Sequence, residues 1–262
     1  MKIVVCIKQV PDNNNVKFDP HTHNLVRTNV AGRMNPFDQN AIEAALDLRE
    51  ANGGDVILLS MGPDSTVETL RDGLAMGADE AYLLSSRAFA GSDTLATGYI
   101  LAQAIQKIGA VDLILFGRQA VDADTGQVGP IVAEELTLPQ ATFVTKIASS
   151  DAQHVTVIRD LDQALQTVEL TLPAVATVRG ELNQPRYETP INIQNSFKKP
   201  LTTWNEKDLV LDQQRIGQAG SPTIVRKIYA PEPVNRQAVA LPEDPDRAAS
   251  ELLKILQANG LI

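Results

Sequence analysis

The sequence predicts an α/β protein built on an open, mostly parallel β-sheet with helices on both faces. Short apolar runs recur along the first half of the chain, and each is nearly continuous. Such runs are typical of parallel strands that are buried on both faces. Segments with helical periodicity lie between them, and this alternation builds an open parallel sheet. The predicted strands are 3–7, 56–59, 81–84 and 113–116.

Four helical segments separate or follow these strands. The first, Pro36–Asn52, follows Asn35, which we expect to be its N-cap. It carries proline at the first helical position, where a missing N–H costs nothing. Gly53 and Gly54 are expected to end it. The other helices are predicted over 64–76, 92–108 and 127–136.

The pattern changes after residue 141, where polar and apolar residues alternate along three short segments. Alternation with a period of two is typical of strands with one buried face. We therefore predict an antiparallel meander appended to the sheet, followed by one more buried strand over 173–178. The meander strands are predicted over 142–148, 154–159 and 167–172.

The chain beyond Arg179 is irregular and interrupted by prolines until a final helix, predicted over 246–259. Such a segment cannot build a core of its own. We interpret it as an extended C-terminal arm that is ordered by a partner. A flexible linker and tail is the alternative interpretation.

Composition excludes several classes of function. The net charge of −9 disfavours duplex nucleic acid and anionic membrane surfaces, which attract basic proteins. The single cysteine, Cys6, rules out an internal disulfide, and its apolar surroundings indicate a small buried side chain. No apolar stretch approaches the roughly 20 residues of a membrane span. We expect a cytoplasmic protein that binds neither nucleic acid nor membrane.

Ligands of open parallel sheets bind beside the carboxyl ends of the strands, so the residues after each strand are candidates for a site. Two such segments, 91–94 and 117–130, combine glycine, small hydroxyl residues and a helix start. Glycine permits close approach of the backbone, and helix N-termini offer free N–H groups to phosphate. Ser92 and Thr125 could instead simply cap helices. Two such loops at neighbouring strand ends favour a nucleotide site.

Other motifs offer little chemistry, and no catalytic residue or metal site is predicted. Asp122 and Asp124 could form a metal pair, but acidic residues on glycine-rich loops more often bond to backbone or ribose. His21 and His23 lie in a polar loop, which is typical of a solvated turn. The sequence contains no P-loop, G-x-S-x-G, H-E-x-x-H or G-x-G-x-x-G motif. Residue chemistry alone predicts a nucleotide-binding α/β protein, and a stress or regulatory protein of this fold remains an alternative.

Six segments of the chain resemble, in order and spacing, the β subunit of electron-transfer flavoproteins. The resemblance is collinear from one end of the chain to the other. The segments are CIKQVPD (6–12), MNPFD (34–38), MGP (61–63), LAMGADE (74–80), FAGSDT (89–94) and the long stretch 117–130.

The resemblance implies a redox carrier subunit that works as a heterodimer with an α subunit, which carries a mobile FAD domain. In one branch of the family the β subunit binds AMP, and the heterodimer shuttles electrons from acyl-CoA dehydrogenases. In the electron-bifurcating branch it binds a second FAD, which accepts a hydride from NADH. One electron then goes to ferredoxin or flavodoxin, and the other goes through the α-subunit FAD to an acyl-CoA or related dehydrogenase. The resemblance also implies a Rossmann-like nucleotide-binding domain over 1–210 and an arm over 211–262 that packs on the α subunit.

Three segments place the chain nearer the bifurcating branch, namely 89–94, 121–130 and 217–223. One departure lies in the second of them. The family's usual glycine and alanine within this loop are here Ala123 and Gly126. Both side chains stay small, but a left-handed backbone at Ala123 would be strained.

Motif positions assign a set of cofactor-binding residues, with the redox chemistry left to the flavin. Those framing the adenine and ribose are Ile7, Lys8, Asn35, Met61 and Gly62. Those on one side of the phosphate and ribitol pocket are Gly91, Ser92, Asp93, Thr94 and Thr97. Those on the other side are Gly117, Asp122, Asp124, Thr125, Gly126, Gln127, Val128 and Gly129.

Two further positions have an implied role. Arg118 is a candidate cation near the cofactor, or else a partner in a surface salt bridge. Residues 186–191 fall where the family has a loop that anchors dehydrogenases, and Ile191 is the candidate apolar anchor in it.

Overall fold

The computed structural model describes residues 1–12, 17–18, 25–26, 32–223 and 238–262. The chain forms two compact units, Met1–Arg226 and Lys227–Ile262. His21 and His23, for which we expect a solvated turn, lie outside the described residues. The strands are β1 (Lys2–Cys6), β2 (Gln9–Pro11), β3 (Lys17–Phe18), β4 (Leu25–Val26), β5 (Gly32–Met34), β6 (Asp55–Met61), β7 (Glu80–Leu84), β8 (Leu113–Gly117), β9 (Gln140–Ser150), β10 (His154–Asp160), β11 (Leu165–Thr171), β12 (Ala174–Val178) and β13 (Leu201–Trp204).

Within the described ranges, five α-helices belong to the first unit and a sixth to the second. Every helix of the described ranges is too short or too polar to cross a membrane. The helices are α1 (Pro36–Asn52), α2 (Thr66–Met76), α3 (Thr94–Ile108), α4 (Val128–Leu136), α5 (Pro190–Ser196) and α6 (Pro245–Ala258).

The main sheet of the described part of the chain has nine strands in the order β11-β10-β9-β12-β8-β1-β6-β7-β13. The strands from β9 to β13 in this order all run parallel, whereas β10 and β11 extend one edge as an antiparallel meander. The predicted open parallel sheet with an appended meander is therefore confirmed. The short pairs β2–β5 and β3–β4 form separate antiparallel ribbons.

Helices cover both faces of this sheet, as predicted. Ile3 and Val5 of β1 pack in one apolar cluster with α1 and α2. Val4 and Cys6 point to the opposite face and pack with α3 and α4. Cys6 is only 5% exposed, which confirms the expected buried side chain. Because alternate residues of a strand face opposite sides, each of the four buried positions of β1, residues 3–6, carries an apolar side chain.

The tail after Arg179 contains more structure than the sequence predicts. Helix α5 begins at Pro190 and is capped by the hydroxyl of Thr189, which accepts a hydrogen bond from the N–H of Asn192 at 3.2 Å. Strand β13 pairs parallel with β7 and forms an edge of the main sheet. The expectation of an irregular segment is wrong here because β13 is short, and two of its residues, Thr202 and Thr203, are exposed and polar.

The second unit contains α6, close to the predicted range. Asp244 caps it by accepting a hydrogen bond from the N–H of Arg247 at 2.9 Å. Leu252 and Leu253 are 44% and 48% exposed. An exposed apolar stripe of this kind fits the predicted arm, which remains a prediction.

The strand order creates a switch point between β1 and β8. From β1 the chain proceeds through β6 and β7 on one side, and then returns to β8 and β12 on the other side. Neighbouring loops at such a point leave the strands in opposite directions and open a crevice at the carboxyl edge. Lys8 follows β1 there, and Arg118 follows β8.

Candidate functional site

A buried carboxylate joins the carboxyl ends of β1 and β8. Asp38, in the first turn of α1, accepts hydrogen bonds at one oxygen from the N–H of Lys8 (2.7 Å) and at the other from the N–H of Gly117 (3.2 Å) and Nδ2 of Asn35 (2.9 Å). Burial raises the pKa of Asp38 to about 7, although these hydrogen bonds and the Lys8 charge oppose the shift. Sequence reasoning did not assign Asp38 to the site, because an acidic residue in a first helical turn normally indicates only a favourable helix dipole.

Gly117 is required by the close approach of α1 to the end of β8. A Cβ atom there would lie 2.4 Å from Oδ1 of Asp38 and 2.7 Å from the carbonyl carbon of Phe37. One of these neighbours is backbone, and the other belongs to a carboxylate fixed by three hydrogen bonds. The contact therefore leaves no room for a side chain.

Asn35 is the N-cap residue of α1, as predicted, but its side chain holds the loop after β8. Its side chain makes no capping hydrogen bond. Nδ2 donates to the carbonyl oxygen of Gln119 at 2.9 Å, and Oδ1 accepts from the N–H of Val121 at 3.2 Å. Asn35 therefore occupies the predicted cap position without capping through its side chain. A side chain that is 1% exposed satisfies buried donors and acceptors first, and here they belong to the neighbouring loop.

An ion pair spans the crevice. Nζ of Lys8 lies 2.8 Å and 2.7 Å from the two carboxylate oxygens of Asp122. This ion pair connects the end of β1 to the loop after β8, so two predicted site residues are brought together. Met61 and Gly62, at the end of β6, line the same edge, and the N–H of Gly62 donates to the carbonyl oxygen of Leu84.

Loss of the Lys8–Asp122 pair is expected to have little effect on stability. The side chains are 46% and 28% exposed, and partly solvated pairs contribute less than about 1 kcal/mol. Urea unfolding of Lys8→Met and Asp122→Asn should show changes within this range. The double variant should lose no more stability than the two single variants lose together. A loss several times larger than about 1 kcal/mol would contradict this interpretation.

The loop after β8 contains two residues with left-handed backbone. Asp124 has φ 51° and Gly126 has φ 61°, whereas Ala123 is not among the positive-φ residues of the described chain. The strain considered for Ala123 therefore does not occur, because the left-handed turn lies one residue further along. Aspartate tolerates this conformation better than most residues, and Oδ1 of Asp124 also accepts from Nε2 of Gln119 at 2.7 Å.

The start of α4 presents unpaired backbone donors. Gln127, at the cap position, makes no side-chain capping bond. The N–H groups of Thr125 through Gly129 donate to no residue that the structure describes. Thr125 therefore does not act as the cap that the alternative interpretation assigns to it. Free N–H groups at a helix N-terminus attract anions, so this end of α4 fits a phosphate group.

The N-terminus of α3 is capped by the side chain of Asp93. Oδ1 of Asp93 accepts from the N–H groups of Leu95 (3.0 Å) and Ala96 (3.1 Å), so Asp93 is the cap and Ser92 is not. The Ser92 hydroxyl donates instead to the carbonyl oxygen of Phe89 at 2.8 Å. This loop also contains Gly91, with φ 78°.

A hydrogen bond joins the two predicted phosphate loops. Oγ1 of Thr94 donates to Oε1 of Gln127 at 2.8 Å. Thr97 lies one turn further along α3, where its N–H donates to the carbonyl oxygen of Asp93 at 2.9 Å. Gly129 packs closely on the sheet, since a Cβ atom there would lie 2.6 Å from Cγ2 of Thr177. The two loops and the first turns of α3 and α4 therefore form one connected edge.

Arg118 carries an unpaired buried donor at the switch point. Its Nε has no hydrogen-bond partner in the described structure, and its guanidinium carbon lies 4.8 Å from the ring centroid of Phe37. Among the described residues, Arg118 forms no salt bridge. An unpaired guanidinium donor fits an anionic or carbonyl-bearing ligand.

Ile7, the last of the predicted site residues, offers the crevice neither a free N–H nor an exposed side chain. Its side chain is 5% exposed, and its N–H donates to the carbonyl oxygen of Leu59 at 2.9 Å. No group of three or more His, Cys, Asp or Glu side chains suited to a metal ion occurs within the described ranges.

Comparison with known proteins assigns the chain to a family. The model of the electron transfer flavoprotein domain matches residues 22–209. The chain is 46% identical over 232 residues to the caffeyl-CoA reductase-Etf complex subunit CarD of Acetobacterium woodii, covering 88% of each protein. It is 44% identical to the electron transfer flavoprotein subunit beta of Megasphaera elsdenii over the full length of both. It is 43% identical to protein FixA of Azorhizobium caulinodans, covering 88% of this chain and 85% of that protein. With a family model over most of its length and relatives that match nearly end to end, the chain belongs to the electron transfer flavoprotein family, as a beta subunit.

Proposed function

We propose that this chain binds FAD at the carboxyl edge of its sheet and acts in a heterodimer with an electron transfer flavoprotein α subunit. In this proposal NADH reduces the heterodimer, which sends one electron to ferredoxin or flavodoxin and the other, through the α-subunit FAD, to an acyl-CoA or related dehydrogenase. The unpaired N–H groups of 125–129 at the start of α4 carry the proposal, because they are suited to the pyrophosphate of a dinucleotide.

The residues of this chain would position the cofactor, and FAD when bound would supply the redox chemistry. The N–H groups at the start of α4 would hold phosphate oxygens. Lys8, together with Met61 and Gly62 at the end of β6, would border the adenine and ribose, and Asp122 would lie on the phosphate and ribitol side. Nε of Arg118 would donate to an acceptor on the cofactor.

The relatives support the choice of partners. A subunit of a caffeyl-CoA reductase-Etf complex, by its name, works beside a reductase of an acyl-CoA ester. An apolar group around α5 offers a surface for such a partner, since Tyr187 is 91% exposed and Ile191 is 70% exposed. Arg186 fixes the start of this segment by pairing with Glu43 of α1 at 2.9 Å. The predicted anchor Ile191 is thus exposed on a segment that is itself held firmly.

The FAD content of the heterodimer tests the proposal. After co-expression with the α subunit and reconstitution with excess FAD, we expect about two FAD per heterodimer, one in each subunit, and bleaching of the flavin by NADH. A ratio near one, with AMP released on denaturation, would exclude the bifurcating function and leave an AMP-containing carrier.

A substitution in the loop after β8 locates the second FAD. Asp124→Phe places a bulky side chain at a left-handed, exposed position of the loop and is expected to lower the ratio towards about one. Asp151→Phe makes the same change on an exposed turn of the meander and serves as the control. Unchanged FAD content in Asp124→Phe would remove this loop from the site.

A further inference from the structure

The segment that follows the edge strand β13 returns across the candidate site. We call residues 212–223 the strap. Its first residues are fixed to α3, because the N–H of Asp212 donates to the Tyr99 hydroxyl at 2.9 Å and the Arg215 guanidinium lies 3.9 Å from the Tyr99 ring centroid. Ile216, which is 4% exposed, is buried in the apolar cluster below. The strap is therefore a fixed part of the first unit.

The strap then lies directly on the loop that precedes α3. The N–H of Gly217 donates to the Ser92 hydroxyl at 3.1 Å. A Cβ atom at Gly217 would lie 2.3 Å from the carbonyl oxygen of Ala88, and its φ is 58°. The Ser221 hydroxyl accepts from the N–H of Asp93 at 2.8 Å. These contacts leave no space between the strap and the loop.

Asp93 divides its carboxylate between a helix and the strap. Oδ1 caps α3, whereas Oδ2 accepts from both the N–H of Thr223 at 3.0 Å and its hydroxyl at 2.8 Å. Burial would raise the pKa of Asp93, but the hydrogen bonds from Ala96 and Thr223 outweigh it and hold the pKa below its ordinary value. The carboxylate is therefore ionised at neutral pH, where charge-assisted hydrogen bonds are strong.

Thr94 links Asp93 to the start of α4, the predicted phosphate-binding end. Thr94 follows Asp93 directly and donates to Gln127, which precedes Val128 at the start of α4. A connected path of hydrogen bonds and peptide bonds thus runs from Thr223 through Asp93, Thr94 and Gln127 to the unpaired N–H groups. Coupling between two sites requires such a physical connection.

We propose that Asp93 is a positioning residue, whose carboxylate clasps Thr223 of the strap and thereby holds the start of α4 in its nucleotide-binding arrangement. The inference rests on the proposed nucleotide site. It does not depend on whether the nucleotide is FAD or AMP. In this arrangement the carboxylate does not contact the nucleotide, because both of its oxygens are occupied by protein donors. The nucleotide is then retained only while the strap, which precedes the C-terminal tail, stays bound to Asp93.

We call the hydrogen bonds between Asp93 and Thr223 the clasp. Two substitutions break it, one at each residue. Asp93→Asn keeps an oxygen for the cap of α3 but turns an amide towards the N–H of Thr223, with which it cannot bond. Thr223→Val removes the hydroxyl and keeps the shape of the side chain. We expect the nucleotide to dissociate from the heterodimer roughly ten-fold faster with Asp93→Asn and roughly three-fold faster with Thr223→Val.

Three comparisons separate coupling from a general loss of structure. Thr223→Ser restores the hydroxyl and should dissociate like the unsubstituted protein. The double variant should dissociate no faster than Asp93→Asn alone, because both changes remove one interaction. Asp151→Asn makes the same chemical change at a distant turn, where Asp151 accepts from the N–H groups of Gln153 and His154, and should leave dissociation unchanged.

The measurement is the release rate of whichever nucleotide the purified heterodimer carries, with the nucleotide identified chromatographically and the melting temperature recorded for each variant. An unchanged release rate in Thr223→Val, or additive effects in the double variant, would overturn the clasp even if FAD is present. Release of AMP in place of FAD would overturn the proposed function, and the clasp would still be tested by the AMP rates.

Discussion

Gly117→Ala is expected to lower the free energy of unfolding of the heterodimer by about 3 kcal/mol and to abolish nucleotide retention. The new methyl group would lie 2.4 Å from Oδ1 of Asp38 and 2.7 Å from the backbone of Phe37. Neither neighbour can move alone, since Asp38 also holds the N–H of Lys8. The ends of β1 and β8 must separate, and the crevice changes shape with them.

Gly180→Ala is the matched control for this substitution. A Cβ atom there would lie 3.6 Å from the Phe37 ring, which is an ordinary contact, so we expect a change within about 0.5 kcal/mol. Urea unfolding of both variants measures stability, and nucleotide content after gel filtration measures binding. Equal stability of the two variants would show that α1 can move away from β8 at little cost, contrary to the packing described here.

The parallel core could be predicted from the sequence because its signals are local. Helix α1 occupies the predicted residues 36–52, since proline at its first position and Gly53 after it mark both ends. The strands of the parallel core carry apolar runs that only burial on both faces explains. Strand β13 lacks such a run, because an edge strand can keep polar residues exposed and still pair through its backbone.

The candidate site could be predicted only in part, because only some of its features follow from local sequence signals. The loops after β8 and before α3 follow from the rule that ligands bind at carboxyl ends of strands. The partners of each side chain do not follow from it, because they depend on which distant backbone groups remain unpaired. Asp38 and Thr223 belong to this second class: each bonds to residues that are remote in sequence, and only the folded chain brings them together.

The stability of the heterodimer is expected to fall as pH rises towards neutrality because of Asp38. Burial raises its pKa from 3.8 to about 7, so the folded state retains a proton that the unfolded state has already released. The stabilisation is complete below the ordinary pKa and is lost as pH rises through the folded pKa. Each pH unit between these values costs about 1.4 kcal/mol, or about 4 kcal/mol in total.

Asp38→Asn removes the titrating carboxyl, so comparison with the unsubstituted protein isolates the contribution of Asp38 to the pH dependence of stability. The variant loses one acceptor for the N–H of Lys8 or Gly117, so it should be less stable than the unsubstituted protein at about pH 5. That difference should shrink by about 2 kcal/mol by about pH 7, because an amide does not titrate. The charged and titratable groups around the carboxyl, the Lys8 ammonium and the Cys6 thiol, are unchanged by the substitution.

Glu206→Gln provides the control for the pH series, measured as urea unfolding of the heterodimer at matched ionic strength. The hydrogen bond from the Ser86 hydroxyl holds the pKa of Glu206 below its ordinary value, so this carboxylate stays ionised throughout the range. Its stability difference from the unsubstituted protein should not vary with pH. A constant difference for Asp38→Asn as well would mean that the three donors to Asp38 outweigh its burial. The buried carboxylate would then stay ionised throughout the pH series, and the crevice would hold a negative charge beside the predicted phosphate loops.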